Sequence, residues 1–269
     1  MEARTFQSNE LMICLSKNLK DEYVNMFAYG SDLPLQDYND SIPDDDVLIR
    51  SIAKRELIKE RLENNKTFYY MDSGYFGNYP SRLNPRGDKL YHRIVKNNLQ
   101  HTEIVDRPDD RWLALKQEIK PWRQRGEHIL LVVPSEKPCK FYSIDHKSWI
   151  KETVDNIKKH TDRHIKIRHK QQRRERLSST IFEDLKNAHA LVTFNSIAAV
   201  EAVQYGIPAF TQTPTAADPV CDKDLSKIES PTLYSDKERY RWACHLAYGQ
   251  FHIKEFKNGT AYKLLNENS

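Results

Sequence analysis

The run Ala190-Leu-Val-Thr-Phe-Asn-Ser-Ile-Ala-Ala-Val-Glu-Ala-Val-Gln-Tyr-Gly-Ile-Pro-Ala-Phe210 leaves this chain few folds to choose from. Residues 190–194 are short, apolar and β-prone, which reads as a buried strand. Asn195 and Ser196 end the run with the polar side chains that favour a helix start. Ile197, Val200 and Val203 then recur at helical spacing up to Tyr205. Gly206 falls where a helix ends in a left-handed residue, and Pro208 prevents the helix from continuing. Ala209-Phe210 opens a second strand. Strand, tight turn, helix, turn and strand in about 20 residues make a βαβ unit.

A helix N-terminus carries unpaired N–H groups and partial positive charge, so it favours phosphate. Asn195 and Ser196 add side-chain donors there. Glu201, about a turn and a half on, can accept hydrogen bonds from the two hydroxyls of a ribose. From spacing alone the plainer account has the better claim: Ser196 caps, and Glu201 is a solvated helix residue.

The pattern Asn-Ser-x-Ala-Ala-Val-Glu-Ala-x-x-x-Gly-Ile-Pro-Ala-Phe resembles the donor-site motif in the C-terminal half of GT-B glycosyltransferases. It is most similar to the branch containing capsule and surface-polysaccharide transferases and glycosyltransferase-like proteins of large phages. The resemblance spans residues 67–262, more weakly outside the motif. It implies an α/β, GT-B-like fold: two small Rossmann-like halves with parallel sheets, and a C-terminal helix packing back on the N-terminal half. It also implies a nucleoside-diphosphate sugar as co-substrate, a UDP-sugar by preference, with Asn195 and Ser196 on phosphate and Glu201 on ribose.

With 269 residues, 39% apolar and 30% charged, the chain is polar but able to bury a core, and is not of disordered composition. A net charge of +4 permits a polyanionic partner without requiring one. Cys14, Cys139, Cys221 and Cys244 lie far apart, without ligand spacing, and read as reduced thiols rather than a zinc site. No apolar run approaches the roughly 18 residues of a membrane span. Met-Glu-Ala-Arg-Thr at the start has no signal-peptide character, so a cytoplasmic location is expected, that of the host if the gene is a phage's. No phosphate loop of Walker type is present. Asp44-Asp-Asp46 precedes a helix rather than ending an apolar strand, so no metal and no other cofactor is expected.

Along the chain, Leu11–Leu15 reads as a first strand, and Tyr23–Gly30 as a second strand or a binding loop. Residues 36–46 hold five acids and no base, a solvated loop. Residues 47–64 show helical spacing at Val47, Ile49, Ile52, Ala53, Leu57, Ile58 and Leu62. Thr67–Met71 is a strand running into Asp72-Ser73-Gly74. Ligands sit where strands of an α/β sheet end, so Asp72 is the candidate general base, although Asp-Ser-Gly is also good turn chemistry. Tyr75 and Phe76 are candidates for stacking on an acceptor, and Arg93, on the predicted strand Tyr91–Val95, for binding it. Leu113–Ile119 reads as a short helix.

Pro121 to Gly126 marks a boundary. It separates an acceptor domain (1–122) from a donor domain (123–240), which is followed by a helical tail (241–269). His128–Val133 is the cleanest strand, and Ser135 and Glu136 follow its ligand-facing end, making Ser135 a donor-binding candidate. Residues 147–159 read as a helix. Arg163–Lys170 is a short strand in a segment, 160–176, with seven Lys/Arg against two Asp/Glu. A basic run is usually a solvated one. Members of the resembling families carry Arg-x-Lys after the equivalent strand, which implies that Arg168 and Lys170 clamp the donor diphosphate. Arg173, Arg174 and Arg176 could instead face an anionic acceptor. Two further helices are expected, over 181–188 and 238–248.

The sequence therefore points to a glycosyltransferase of inverting type, with two acceptors open. A hydroxymethylated base in phage DNA, making double-stranded DNA a partner, is preferred over a saccharide of surface-polysaccharide synthesis. A non-catalytic nucleic-acid-binding protein on a Rossmann scaffold is the rival of a different class.

Overall fold

A computed structural model describes residues 12–39, 42, 44–169 and 180–267. In chain order the elements begin β1 (Ile13–Ser16), α1 (Glu22–Gly30), β2 (Leu35–Asp37), β3 (Val47–Arg50), α2 (Arg55–Glu63), β4 (Phe68–Ser73) and β5 (Tyr91–Lys96). Next come α3 (Asp110–Leu115), β6 (His128–Val132), α4 (Glu136–Tyr142), α5 (His146–Lys158), β7 (His164–Arg168), α6 (Ile181–Leu185), β8 (Ala188–Thr193), α7 (Ala198–Gln204) and β9 (Ala209–Thr211). The last are α8 (Asp236–Tyr248), β10 (Gln250–His252), α9 (Ile253–Lys257) and α10 (Thr260–Glu267).

The chain divides into two compact units. The first takes the described residues up to Asp72, His92–Leu99, and those from Phe251 on; the second takes Ser73–Tyr91 and Gln100–Gln250. The first unit is built on a sheet ordered β10-β5-β4-β3-β1-β2, in which β2, β1, β3 and β4 pair in parallel. Its core joins Cys14, Leu48, Tyr69 and Met71 of the sheet to Val24 and Phe27 of α1 and to Phe251 and Phe256 of the C-terminal segment. The C-terminal helices thus belong to this unit.

The second unit has a sheet ordered β7-β6-β8-β9, parallel throughout. The unbroken apolar run of β6 is explained by cover on both faces. Leu130 and Val132 face a cluster containing Ala199, Val200 and Val203 of α7, whereas Ile129, Leu131 and Val133 face Trp149 and Ile157 of α5. Gly206 is left-handed at φ +76°, and a Cβ there would fall 2.1 Å from the Pro121 carbonyl oxygen. The strand–helix–strand reading of 190–210 therefore holds.

The helix expected over Leu113–Ile119 lies earlier, at Asp110–Leu115, where a left-handed Lys116 ends it, and three further expectations fail. Residues 47–64 are not one helix: Val47, Leu48 and Ile49 form a central strand buried on both faces, and the helix starts only at Arg55. Tyr23–Gly30 is neither strand nor loop but helix α1. It is capped by the Asp21 carboxylate on the Val24 amide (3.5 Å), and Val24, Phe27 and Ala28 turn inward. Glu136, expected in a loop, begins α4, where Pro138 is tolerated because first-turn amides have no helical partner. All four cysteines are buried free thiols. Among the described residues no helix is long and apolar enough to cross a membrane.

Candidate functional site

In the second unit the parallel register sets Val132, Arg168 and Thr193 level. The residues that follow, Ser135 and Asn195-Ser196, therefore leave the same edge of the sheet, where α/β folds bind ligands. Thr193 donates its hydroxyl to the Val132 carbonyl (2.9 Å), fixing β8 against β6 just before the turn. The Ser196 hydroxyl accepts from the Ala198 amide (3.2 Å), one of the orphan donors of the α7 start. The Asn195 side chain hydrogen-bonds the Tyr142 hydroxyl, whose pKa burial nonetheless raises. Ser135 occupies the N-cap position of α4 without a side-chain capping bond.

Glu201 is not a solvated helix residue. The helix carrying it is buried from Ala198 to Val203, and Glu201 itself is 4% exposed. Its Oε1 accepts a 2.7 Å hydrogen bond from the Tyr79 hydroxyl. Burial raises its pKa to about 7, against the opposing pull of the Tyr79 bond and the Arg168 charge. The Tyr79 ring meets Phe182 edge-on at 5.0 Å between centroids, and Phe182 in turn meets Tyr205 at 5.4 Å. An ionisable carboxyl, a hydroxyl and aromatic faces are thereby gathered beside the turn.

Arg168 is engaged with Asp184, which also takes Lys166 at 2.6 Å. Burial acts to raise the pKa of Asp184, but the two cations outweigh it and the carboxyl sits below its usual range. Lys170, Arg173, Arg174 and Arg176 lie outside the described residues.

In the first unit Asp72 stands near the end of β4 with its side chain 37% exposed. Its Oδ2 accepts from the Tyr70 hydroxyl (2.8 Å) and lies 3.8 Å from Arg93 Nη2. The structure thus brings Asp72 and Arg93 together. It also alters the picture of Arg93: the residue is buried, its Nε donates to the Leu99 carbonyl (3.2 Å), and its guanidinium lies beside Asp72.

Tyr75 and Phe76 are corrected too. They are 3% and 2% exposed, which leaves neither ring a face for stacking on an acceptor. Phe76 packs edge-on against Trp112 and Trp242, and the Tyr75 hydroxyl bonds the His101 ring (3.1 Å). The side chain of Gln250 accepts from both their amides (2.7 and 2.9 Å).

Two residues beyond the sequence candidates shape the turn after β8. Tyr79 holds Glu201. Gln100, buried, donates to the Asn195 carbonyl (2.9 Å) and accepts from the Ala216 amide (3.1 Å), tying the turn after β8 to the loop after β9. Nothing in the spacing of Tyr79 pairs it with a glutamate 122 positions away. For Gln100 there was no signal at all.

No protein-family model matches the chain, and neither does any curated protein. Its fold, mixed α/β with parallel sheets and compatible with GT-B, is shared with glycosyltransferases of known structure. One is the Thermosulfurimonas dismutans KpsC beta Kdo 2,4 transferase, at TM-score 0.53 and 12% identity over 88% of this chain and 91% of that one. Another is the beta Kdo 2,7 transferase of KpsC from the same organism, at TM-score 0.53 and 13% identity over 97% and 100%.

Proposed function

We propose that the protein is a glycosyltransferase that moves a sugar from a nucleotide sugar to a hydroxyl of a saccharide acceptor in surface-polysaccharide synthesis. The observation that carries this is Glu201: a carboxyl buried behind the ligand edge of a parallel sheet, already hydrogen-bonded to a hydroxyl in the way a ribose hydroxyl would bond it. The phage-DNA acceptor preferred from sequence gives way to the saccharide reading, because the two structural neighbours described above are Kdo transferases.

In this reading the second unit binds the donor. Glu201 takes the ribose once the Tyr79 hydroxyl yields, the turn at Asn195-Ser196 takes phosphate, and the diphosphate competes with Asp184 for Arg168, with Lys170 alongside. Asp72 of the first unit removes the proton from the acceptor hydroxyl as its oxygen bonds to the sugar carbon. The bond from that carbon to the diphosphate breaks, and the electron pair leaves with the diphosphate, where cations and backbone N–H groups stabilise it. The Tyr70 hydroxyl and Arg93 hold Asp72 in place for this.

Thermal unfolding with UDP, GDP, CMP, ADP and their sugars tests the reading. A ligand at about 100 times its dissociation constant adds about 2.7 kcal/mol of stability. A shift with one nucleotide that Glu201→Ala abolishes is expected; no shift with any of them would sink the proposal. Acceptor binding should also depend weakly on salt. A steep fall in affinity for duplex DNA between 50 and 200 mM salt, of about a thousandfold, would bring back the DNA acceptor.

A further inference from the structure

The first sheet has a ligand edge of its own. β1, β2, β3 and β4 run in parallel, with Ser16 level with Asp37 and Arg50 level with Met71, so Lys17, Tyr38, Ser51 and Asp72 leave it at the same side. Two cations are gathered there. Arg50 closes β3 and pairs with Asp21 through Nη1 (3.0 Å), its guanidinium lying 4.6 Å from the centre of the Tyr23 ring. Ser51 follows with φ +78°, a left-handed backbone that side chains rarely adopt. The turn it makes delivers Lys54, whose amide bonds the Ser51 carbonyl (3.2 Å).

The Lys54 ammonium sits 2.9 Å from the centre of the Tyr38 ring. Lys54 Nζ and Arg50 Nε are both buried, and neither has a hydrogen-bond partner among the described residues. An ammonium has three N–H donors, and burying them unused is costly. The nearby acids do not meet the need. Asp21 is taken by Arg50 and the Val24 amide, and Asp37 accepts from the Asn39 amide (2.8 Å). Burial, then the charge of Lys17, bring the Lys54 pKa down to about 8 against the pull of Asp37 and Asp21. Buried donors left unmet within the fold are donors available to a bound ligand.

We infer that Lys54 and Arg50 form an anion site at the ligand edge of the first unit, filled by a carboxylate or phosphate of the acceptor. The Tyr38 ring covers the ammonium and swings aside when the anion binds. Two cationic side chains with unmet donors favour an anion there; that it is the acceptor rests on the glycosyltransferase reading and on Asp72 standing at the same edge.

Trace labelling of the intact protein with acetic anhydride at pH 8, read peptide by peptide by mass spectrometry, tests this. The probes are glucuronate, inorganic phosphate and glucose as the neutral control. Glucuronate or phosphate should slow acetylation of Lys54 relative to the other lysines, and glucose should not. Stronger protection by glucuronate indicates a sugar acid, and stronger protection by phosphate a phosphorylated acceptor. Isothermal titration calorimetry with the protecting anion should show Lys54→Met binding it about tenfold or more weakly, the weight of one charge-assisted hydrogen bond, with Lys54→Arg recovering part of it. Equal labelling with all three probes, or unchanged affinity in Lys54→Met, overturns the site. A nucleotide-induced thermal shift without anion protection removes this site and spares the glycosyltransferase reading; anion protection without any nucleotide shift does the reverse.

Discussion

A carboxyl closed off from water, as that of Glu201 is, ionises at the expense of the fold. Its pKa stands at about 7 in the native state against 4.5 for the free side chain, so between those values the folded chain holds a proton that the unfolded chain has lost. Stability from this group is complete below pH 4.5 and is lost as pH rises through 7, a difference of about 3 kcal/mol. Glu201→Gln should flatten that part of the profile and leave the variant more stable than wild type at pH 8, while its nucleotide response falls. Urea unfolding at pH 5 and pH 8 checks this, and parallel profiles for the two proteins would refute it. Tyr79→Phe should push the window higher, because the hydroxyl bond is one of the two influences holding the pKa down. As a candidate Glu201 was legible in the sequence, through its motif. Its burial was not, because alanines at 198, 199 and 202 hide how closely the helix is enclosed, and its Tyr79 partner lies too far along the chain for any local pattern.

The elements read correctly were those whose ends carry their own chemistry. The β8–α7–β9 unit is written in a polar break, a glycine and a proline, and the glycine does what its position implies. Gly206→Ala places a Cβ against the Pro121 carbonyl and forces alanine into a left-handed backbone. The conformation alone costs about 1–2 kcal/mol, so a total loss above about 2 kcal/mol is expected from denaturant melts, and a smaller one would mean the turn relaxes freely. The failures have equally local causes. Val47, Leu48 and Ile49 happen to continue the helical spacing of the residues after them, although three consecutive buried aliphatics are better housed in a central parallel strand. In α1 the aromatic, β-prone composition outweighed the Asp21-Glu22 start signal, and tertiary packing of Val24 and Phe27 decided for helix.

At the scale of the molecule, sequence order and spatial order part company. The first unit closes only when the last segment of the chain arrives. Phe256 is fully buried against Phe27, their rings edge-on at 5.4 Å, and Gly30 is tight enough that a Cβ would lie 2.0 Å from the Phe256 carbonyl oxygen. The family resemblance implied a C-terminal helix packing back in this way; no local pattern in residues 251–267 did, since partners such as Phe27 and His92 lie far back in the chain. Phe256→Ala removes a ring from the middle of that core and should cost the first unit about 3–5 kcal/mol. Hydrogen exchange locates the loss: amides of α1, α9 and β1 should open faster, while those of β6 and β8, whose cores share no residue with Phe256, keep their protection. If the second unit binds the nucleotide as proposed, nucleotide stabilisation should survive the same substitution at temperatures below the first unit's melting. If β6 and β8 open together with α1, the two cores unfold as one.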